Sequence, residues 1–209
     1  MRRGRIGALG AKPEYPMRLL NYIAIKLVYR LGWSRVPFLP VTIDIEPNNT
    51  CNLQCPHCQV PHWSKPAGYL TIERFAAILK QVPGLVRVKL QGMGEPLLNR
   101  ELIGMLEAGE ARGISMAFIS NGSTCTQEMA DALVRLHDTE ITFSLDGASK
   151  ETFEKIRVGG SFERVIGNIR RLIGTRGAKR SPAVFGWTLA TKDNLHELSE
   201  IVRLARELG

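Results

Sequence analysis

The stretch Cys51-Asn52-Leu53-Gln54-Cys55-Pro56-His57-Cys58 holds three of the chain's four cysteines, spaced C-x3-C-x2-C. A run of strand-forming residues, Val41-Thr42-Ile43-Asp44-Ile45-Glu46-Pro47, leads straight into it. Clustering this tight asks for metal or redox chemistry before it asks for packing. Thiolate sulfur is a soft ligand suited to zinc, copper(I) or an iron–sulfur cluster. A structural zinc site closes four ligands, usually by pairing two short hooks across a longer loop. One compact loop does not do that, although His57 or His62 could supply a fourth ligand. A disulfide would leave one thiol over. A 4Fe–4S cluster on three cysteines keeps one iron without a protein ligand, open to a substrate or cofactor. On chemistry alone the cluster leads, and zinc stays open.

Working outward from the cysteines, apolar runs of strand length alternate with segments of helical period. The strand candidates are Val41–Glu46, Leu85–Leu90, Ile114–Ser120, Glu140–Leu145 and Ala183–Ala190. The helix candidates are Ile72–Val82, Arg100–Arg112, Gln127–His137, Phe162–Ile173 and Leu195–Leu208, the last opened by an Asn194/Glu197 capping box. This alternation predicts βαβ units on a parallel sheet. Five units are visible, whereas an eight-unit barrel takes about 250 residues. In such folds ligands bind at the carboxyl ends of the strands. The residues there are the cysteine loop, Gln91–Pro96, Ser120–Gly122 and Ser144–Gly147, which the architecture gathers around one mouth.

The 209 residues suffice for one good core, and their 44% apolar content is that of an ordinary globular chain. No apolar run reaches spanning length, and the basic start lacks a secretory pattern, so the expected compartment is the reducing cytoplasm. The net charge of +8 is uneven. Residues 1–40 carry eight Arg and Lys against Glu14 alone, while the remainder is nearly balanced. The excess belongs to an arm, so nucleic acid is not the expected partner of the body. Residues 1–15 read as loose. Residues 16–32 read as a helix between Pro16 and Gly32, with an apolar stripe of Leu20, Ala24, Leu27 and Leu31 and a polar one of Arg18, Tyr22, Lys26 and Arg30. It is expected to pack on the body. A basic amphipathic helix of this kind can also lie peripherally on an anionic membrane.

At this point the motifs resemble a family. Cys51-x3-Cys55-x2-Cys58 after a first strand looks like the signature of the radical S-adenosylmethionine (SAM) superfamily. Gly92-Met93-Gly94-Glu95-Pro96 resembles its glycine-glycine-glutamate loop with Met93 inserted, and Ser120-Asn121-Gly122 its third-strand Thr-Asn-Gly. Ser144-Leu145-Asp146-Gly147 with Glu151–Arg157 resembles members that carry a C-terminal SPASM or twitch extension. The resemblance implies an α/β fold: a partial (β/α) barrel with about five of six units over residues 38–209, preceded by an arm and amphipathic helix over 1–37. It also implies a chain truncated at its C-terminus, since no cysteine follows Cys125.

The implied cofactors are a 4Fe–4S cluster on Cys51, Cys55 and Cys58, and SAM chelated to the cluster's open iron. An electron from a flavodoxin- or ferredoxin-like donor would cleave SAM to methionine and a 5′-deoxyadenosyl radical, which abstracts hydrogen from the substrate. Peptide maturation and cofactor, lipid or sugar chemistry all remain open. The implied SAM contacts are His57 toward adenine, and Gly92, Gly94 and Glu95 toward the methionine amino group. Ser120 and Asn121 would lie near the ribose and methionine. Ser144 and Arg157 would meet the carboxylate, Asp146 a ribose hydroxyl, and Leu189 the adenine face. The alternative reading is a non-catalytic zinc- or cluster-binding module. Cys125 reads as a buried thiol, His137 and His196 as surface residues, and Trp33, Trp63 and Trp187 as packing residues.

Overall fold

The structure is a computed structural model that describes residues 15–179 and 181–209. Among the described residues, five strands form one sheet: β1 (Thr42–Ile45), β2 (Arg87–Leu90), β3 (Ser115–Ser120), β4 (Thr139–Ser144) and β5 (Ala183–Trp187). They lie in chain order and every neighbour pair is parallel. The helices α1 (Tyr15–Arg30), α2 (Ile72–Gln81), α3 (Leu102–Ala111), α4 (Gln127–Leu133), α5 (Lys150–Ile156), α6 (Phe162–Arg176) and α7 (Leu198–Leu208) precede, link and follow the strands. The parallel sheet is the one the alternation predicted, and because it runs in order and does not close it is the partial barrel that the resemblance implies.

Strand periodicity sorts the side chains onto two faces. Val88, Leu90, Met116, Phe118, Ile141 and Phe143 point one way and are sealed under Phe75, Leu79, Met105, Leu106, Val165 and Ile169 of the helices. The register places Lys89, Ala117 and Glu140 side by side on the other face, where small Ala117 lets Arg87 reach across β3 to Glu140 (Nη1 to Oε1, 3.1 Å). That face continues through Asp44 on β1 to Phe185 and Trp187 on β5, all three exposed. The helices begin by a common device. Thr71, Thr126, Ser149 and Ser161 each accept the N–H three residues on, and each is followed two positions later by Glu.

Several expectations need correction. The sequence stripe Leu20/Leu27/Leu31 does not face the body, since all three are more than half exposed. The helix docks instead through Val28 and Arg18, a member of the supposed polar stripe. Arg18 is buried and donates to the carbonyls of Pro83 (3.0 Å) and Arg112 (2.7 Å), whose polar atoms an apolar side chain could not have satisfied. Asn21 adds a bond to the Leu39 carbonyl. The Asn194/Glu197 capping box does not form. Asn194 is fully buried and ties the loop carbonyls of Asp146 and Leu189, while Glu197 reaches the β4–α5 loop. The chain around Lys150–Ile156 forms an additional helix. Its Ser149 cap and its buried Phe153/Ile156 pair are the signal that marks it. Predicted β5 and α4 are shorter, ending at Trp187 and Leu133. Trp33 and Trp187 are well exposed rather than packed. The reading of residues 1–14 as loose lies outside the described residues. No described helix is long and apolar enough to cross a membrane.

Candidate active site

The carboxyl ends of the strands carry the motif loops, and hydrogen bonds stitch those loops together in sequence. After β1, the Glu46 carboxylate accepts the Met93 N–H (2.5 Å) from the loop after β2. Asn48 donates to the carbonyls of Thr50 (2.9 Å) and Glu95 (3.1 Å), and the Glu95 N–H donates to Thr50 (2.7 Å). Glycine is required here for a definite reason. A Cβ on Gly94 would strike the Asn48 and Thr50 carbonyls, and one on Gly92 the Glu46 carboxylate. The close approach that these glycines permit is made to the strand end leading into Cys51.

Glu95 joins this loop to β3. It is 3% exposed, and its carboxylate accepts from Leu97 N–H (3.0 Å), Ser120 Oγ (2.7 Å) and Asn121 N–H (2.7 Å). Burial raises its carboxyl above the ordinary value, while the backbone donors of Asn121 and Leu97, the Ser120 hydroxyl and Arg157 pull it back. Asn121 is buried as well, and its Nδ2 reaches Cys51 Sγ at 3.8 Å and Asn52 Oδ1 at 3.0 Å.

The loop after β4 holds the other flank. Asp146, 2% exposed, pairs with Arg157 through Nε (2.6 Å) and Nη2 (2.5 Å). Its second oxygen accepts the Leu189 N–H at 2.8 Å. Arg157 in turn lies beside Cys55. The backbone after it closes on the cysteine loop, where the Gln54 N–H donates to Val158 O at 2.8 Å. Ser144, the last residue of β4 and two before Asp146, is buried. Leu189 is not core: its side chain is half exposed, at the end of the edge strand. His57 is exposed at the tip of the cysteine loop, within electrostatic reach of Asp193.

The three cysteines are half-buried free thiols. Leu53 N–H points at Cys51 Sγ and Val60 N–H at Cys58 Sγ, each at 3.5 Å. Burial pushes the Cys51 and Cys55 thiols up, with the Leu53 N–H opposing at Cys51 and the Arg157 charge at Cys55. Among the described residues, no three His, Cys, Asp or Glu side chains converge as a single metal ion would need. A cuboidal cluster takes one thiolate at each of three corners and does not ask for that convergence. N–H donors directed at the sulfurs are what cluster thiolates use. The donor set therefore fits a 4Fe–4S group on Cys51, Cys55 and Cys58. Cys125 is buried elsewhere, and desolvation pushes its thiol up to about 11.

With this geometry in place, the sequence model of the Radical SAM superfamily matches residues 45–205, most of the chain. The chain belongs to the radical SAM superfamily. Among curated relatives, the AdoMet-dependent heme synthase of Methanosarcina barkeri is 29% identical over 163 residues, 76% of this chain and 45% of that protein. The mycofactocin maturase MftC of Mycobacterium tuberculosis is 27% identical over 173 residues, 81% of this chain and 43% of that protein. The crystal structure of Streptococcus suis SuiB bound to the precursor peptide SuiA aligns with a TM-score of 0.71 at 16% identity, over all of this chain and 45% of that one. This radical SAM chain thus spans less than half the length of these relatives.

Asn48, Asn52 and Ser123 hold the loops without matching a motif, their one sequence signal being the density of Asn and Ser at strand ends, where side chains substitute for backbone partners. Asn194 and Glu197, whose spacing reads as a cap, tie loops instead.

Proposed function

We propose that this chain is the cofactor-binding core of a radical SAM enzyme that abstracts hydrogen from a peptide substrate. The observation that carries the reading is the cysteine loop itself. Its three thiols share one turn with N–H donors aimed at sulfur, braced by the loops after β2, β3 and β4. Cys51, Cys55 and Cys58 would hold a 4Fe–4S cluster, which would supply the electron for reductive SAM cleavage and so the radical chemistry that takes hydrogen from a substrate. The chain's own part is positioning. Arg157, oriented by Asp146, retains guanidinium N–H groups for the SAM carboxylate, with Ser144 at the same strand end. The loop of Gly92, Gly94 and Glu95, together with Ser120, sets the wall for the methionine and ribose, and His57 and Leu189 flank the adenine. Asp146 acts through Arg157 and the Leu189 backbone.

A peptide is favoured because relatives include a maturase and the aligned SuiB structure holds a precursor peptide. The open sheet face also offers charged groups beside exposed Phe185 and Trp187. The electron donor in this reading is a flavodoxin- or ferredoxin-like protein. A second partner is supported by α1, whose exposed Leu20, Ile23 and Leu27, with Leu31 just after it, lie beside Lys26 and Arg30 next to a basic arm. We assign this face to peripheral contact with an anionic membrane, with the enzyme working from the cytoplasmic side.

Anaerobic reconstitution with iron and sulfide should give a brown protein that releases 5′-deoxyadenosine from SAM under reductant. A colourless chain that retains stoichiometric zinc would refute the reading in favour of a non-catalytic zinc module.

A further inference from the structure

Asn52, Asn121 and Ser123 form a closed ring of hydrogen bonds beside Cys51. Asn121 Oδ1 accepts the Ser123 N–H at 2.9 Å, and a backbone N–H can only donate. That bond fixes the orientation of the Asn121 amide, so its NH2 must face Cys51 Sγ (3.8 Å) and Asn52 Oδ1 (3.0 Å). Accepting there fixes the Asn52 amide in turn, whose NH2 donates to Ser123 Oγ at 2.7 Å. The Ser123 hydroxyl is then left to donate back to Asn121 Oδ1, at 2.6 Å. Every donor and acceptor in the ring has one available direction. Asn121 is buried at 5% exposure, and its backbone N–H is bonded to Glu95.

We infer that Asn121 is a positioning residue for Cys51, and that its amide N–H tunes the reduction potential of the cluster held there. This rests on the reading that Cys51, Cys55 and Cys58 carry a cluster, and it reassigns Asn121 away from direct SAM contact. The sulfurs of a reduced cluster carry more negative charge than those of an oxidised one. A donor aimed at sulfur therefore stabilises the reduced state more and raises the potential. The ring keeps that donor from swinging away, since each rotation would break two bonds. It also ties the third-strand loop to the residue next to Cys51, holding the ligand where the cluster needs it.

The test uses reconstituted wild type with the Asn121→Ala, Asn121→Asp and Ser123→Ala variants, with folding checked by circular dichroism. Three quantities are read: the cluster midpoint potential by EPR-monitored titration, the rate of iron loss to a chelator, and the dissociation constant for SAM. Asn121→Ala should shift the potential to more negative values and speed iron loss about tenfold, the scale of lost outer-shell support. SAM affinity should stay within about threefold. Asn121→Asp, which keeps the ring acceptor but puts a carboxylate oxygen in place of the N–H, should lie at least as far negative as Ala. A SAM constant raised about tenfold with unchanged potential and iron loss would overturn the inference and make Asn121 a SAM contact. Ser123→Ala keeps the backbone N–H that orients Asn121 and should retain the wild-type potential. If Asn121→Ala fails to load, Asn121→Asp decides: a more negative potential with faster iron loss supports the inference, and wild-type values overturn it. Wild type that takes up no iron fails the parent reading, which is distinct from variants that load and behave like wild type.

Discussion

Replacing Asp146 by Asn removes one charge and leaves the shape of the side chain. The carboxylate accepts two N–H bonds from Arg157 on one oxygen and the Leu189 N–H on the other. An amide offers one acceptor and one donor. Turned toward Arg157, its NH2 opposes the Leu189 N–H; turned the other way, it opposes the guanidinium. The Arg157 side chain is only 20% exposed, so it loses its counter-charge where water replaces it poorly. A bond to a charged group contributes about 1.5–3 kcal/mol, and stranding one partner of a fully buried pair costs about 3–5 kcal/mol. Allowing for the partial exposure, the expected loss is about 2–4 kcal/mol. With a urea m-value of about 2 kcal/mol/M, that moves the unfolding midpoint down by roughly 1–2 M. Urea titration followed by circular dichroism reads it directly. A midpoint within about 0.3 M of wild type would refute the claim that Asp146 holds Arg157. In the loaded protein the same variant should also weaken SAM binding, since the guanidinium is no longer aimed.

Glu197→Gln should lower stability at neutral pH by about 2 kcal/mol. The native carboxyl is held down to about 2, although burial opposes this, by the Ser149 and Thr152 hydroxyls and the Ala148 and Ser149 N–H groups. A depressed carboxyl stabilises the fold above its ordinary value and loses that contribution as pH falls toward 2, so the wild-type advantage should fade between about pH 4.5 and 2. An advantage that persists undiminished at pH 2 would contradict this. Gly94→Ala should lose 2 kcal/mol or more (about the scale of overpacking) because a backbone carbonyl occupies the Cβ position, and a thermal midpoint equal to wild type would count against the close approach. Cys125→Ala should leave iron content unchanged in elemental analysis, whereas Cys58→Ala should abolish it. Leu27→Glu should reduce flotation with phosphatidylcholine/phosphatidylglycerol vesicles at low salt without changing secondary structure; equal flotation would remove α1 from membrane contact.

The legible part of the sequence was the part with a period. Alternation of Val88, Leu90, Met116 and Phe118 with helices of 3.6-residue repeat fixes the sheet and its order, because one face of each must be buried. The cysteine spacing is equally direct, because three thiols in one turn have few other uses. The rest depended on where polar groups find partners. Arg18 sits in a stripe that looks solvent-facing, yet two helix-end carbonyls at Pro83 and Arg112 draw it inward. Asn194 and Glu197 have the spacing of a cap, yet each meets a stronger set of partners across 40 or more residues. Glu95 and Asp146 were legible as acids of the mouth, while their partners were not. A carboxylate in a motif reads as a ligand contact, whether its hydrogen bonds run to a cofactor or to neighbouring loops.

The strands are laid down in chain order, and this sets a timetable for biosynthesis. The three thiols of the cysteine loop arrive early, at positions 51–58. The groups that brace them, Asn121, Arg157 and Val158, follow up to about 100 residues later. At about 5–20 residues per second, the thiols wait on the order of 5–20 s without those partners. During that interval the loop is an unshielded set of nucleophiles, open to oxidation and to the wrong metal. Loading belongs after α5 has emerged, and a nascent chain stalled before residue 157 should take up iron poorly while still being alkylated readily at Cys51, Cys55 and Cys58.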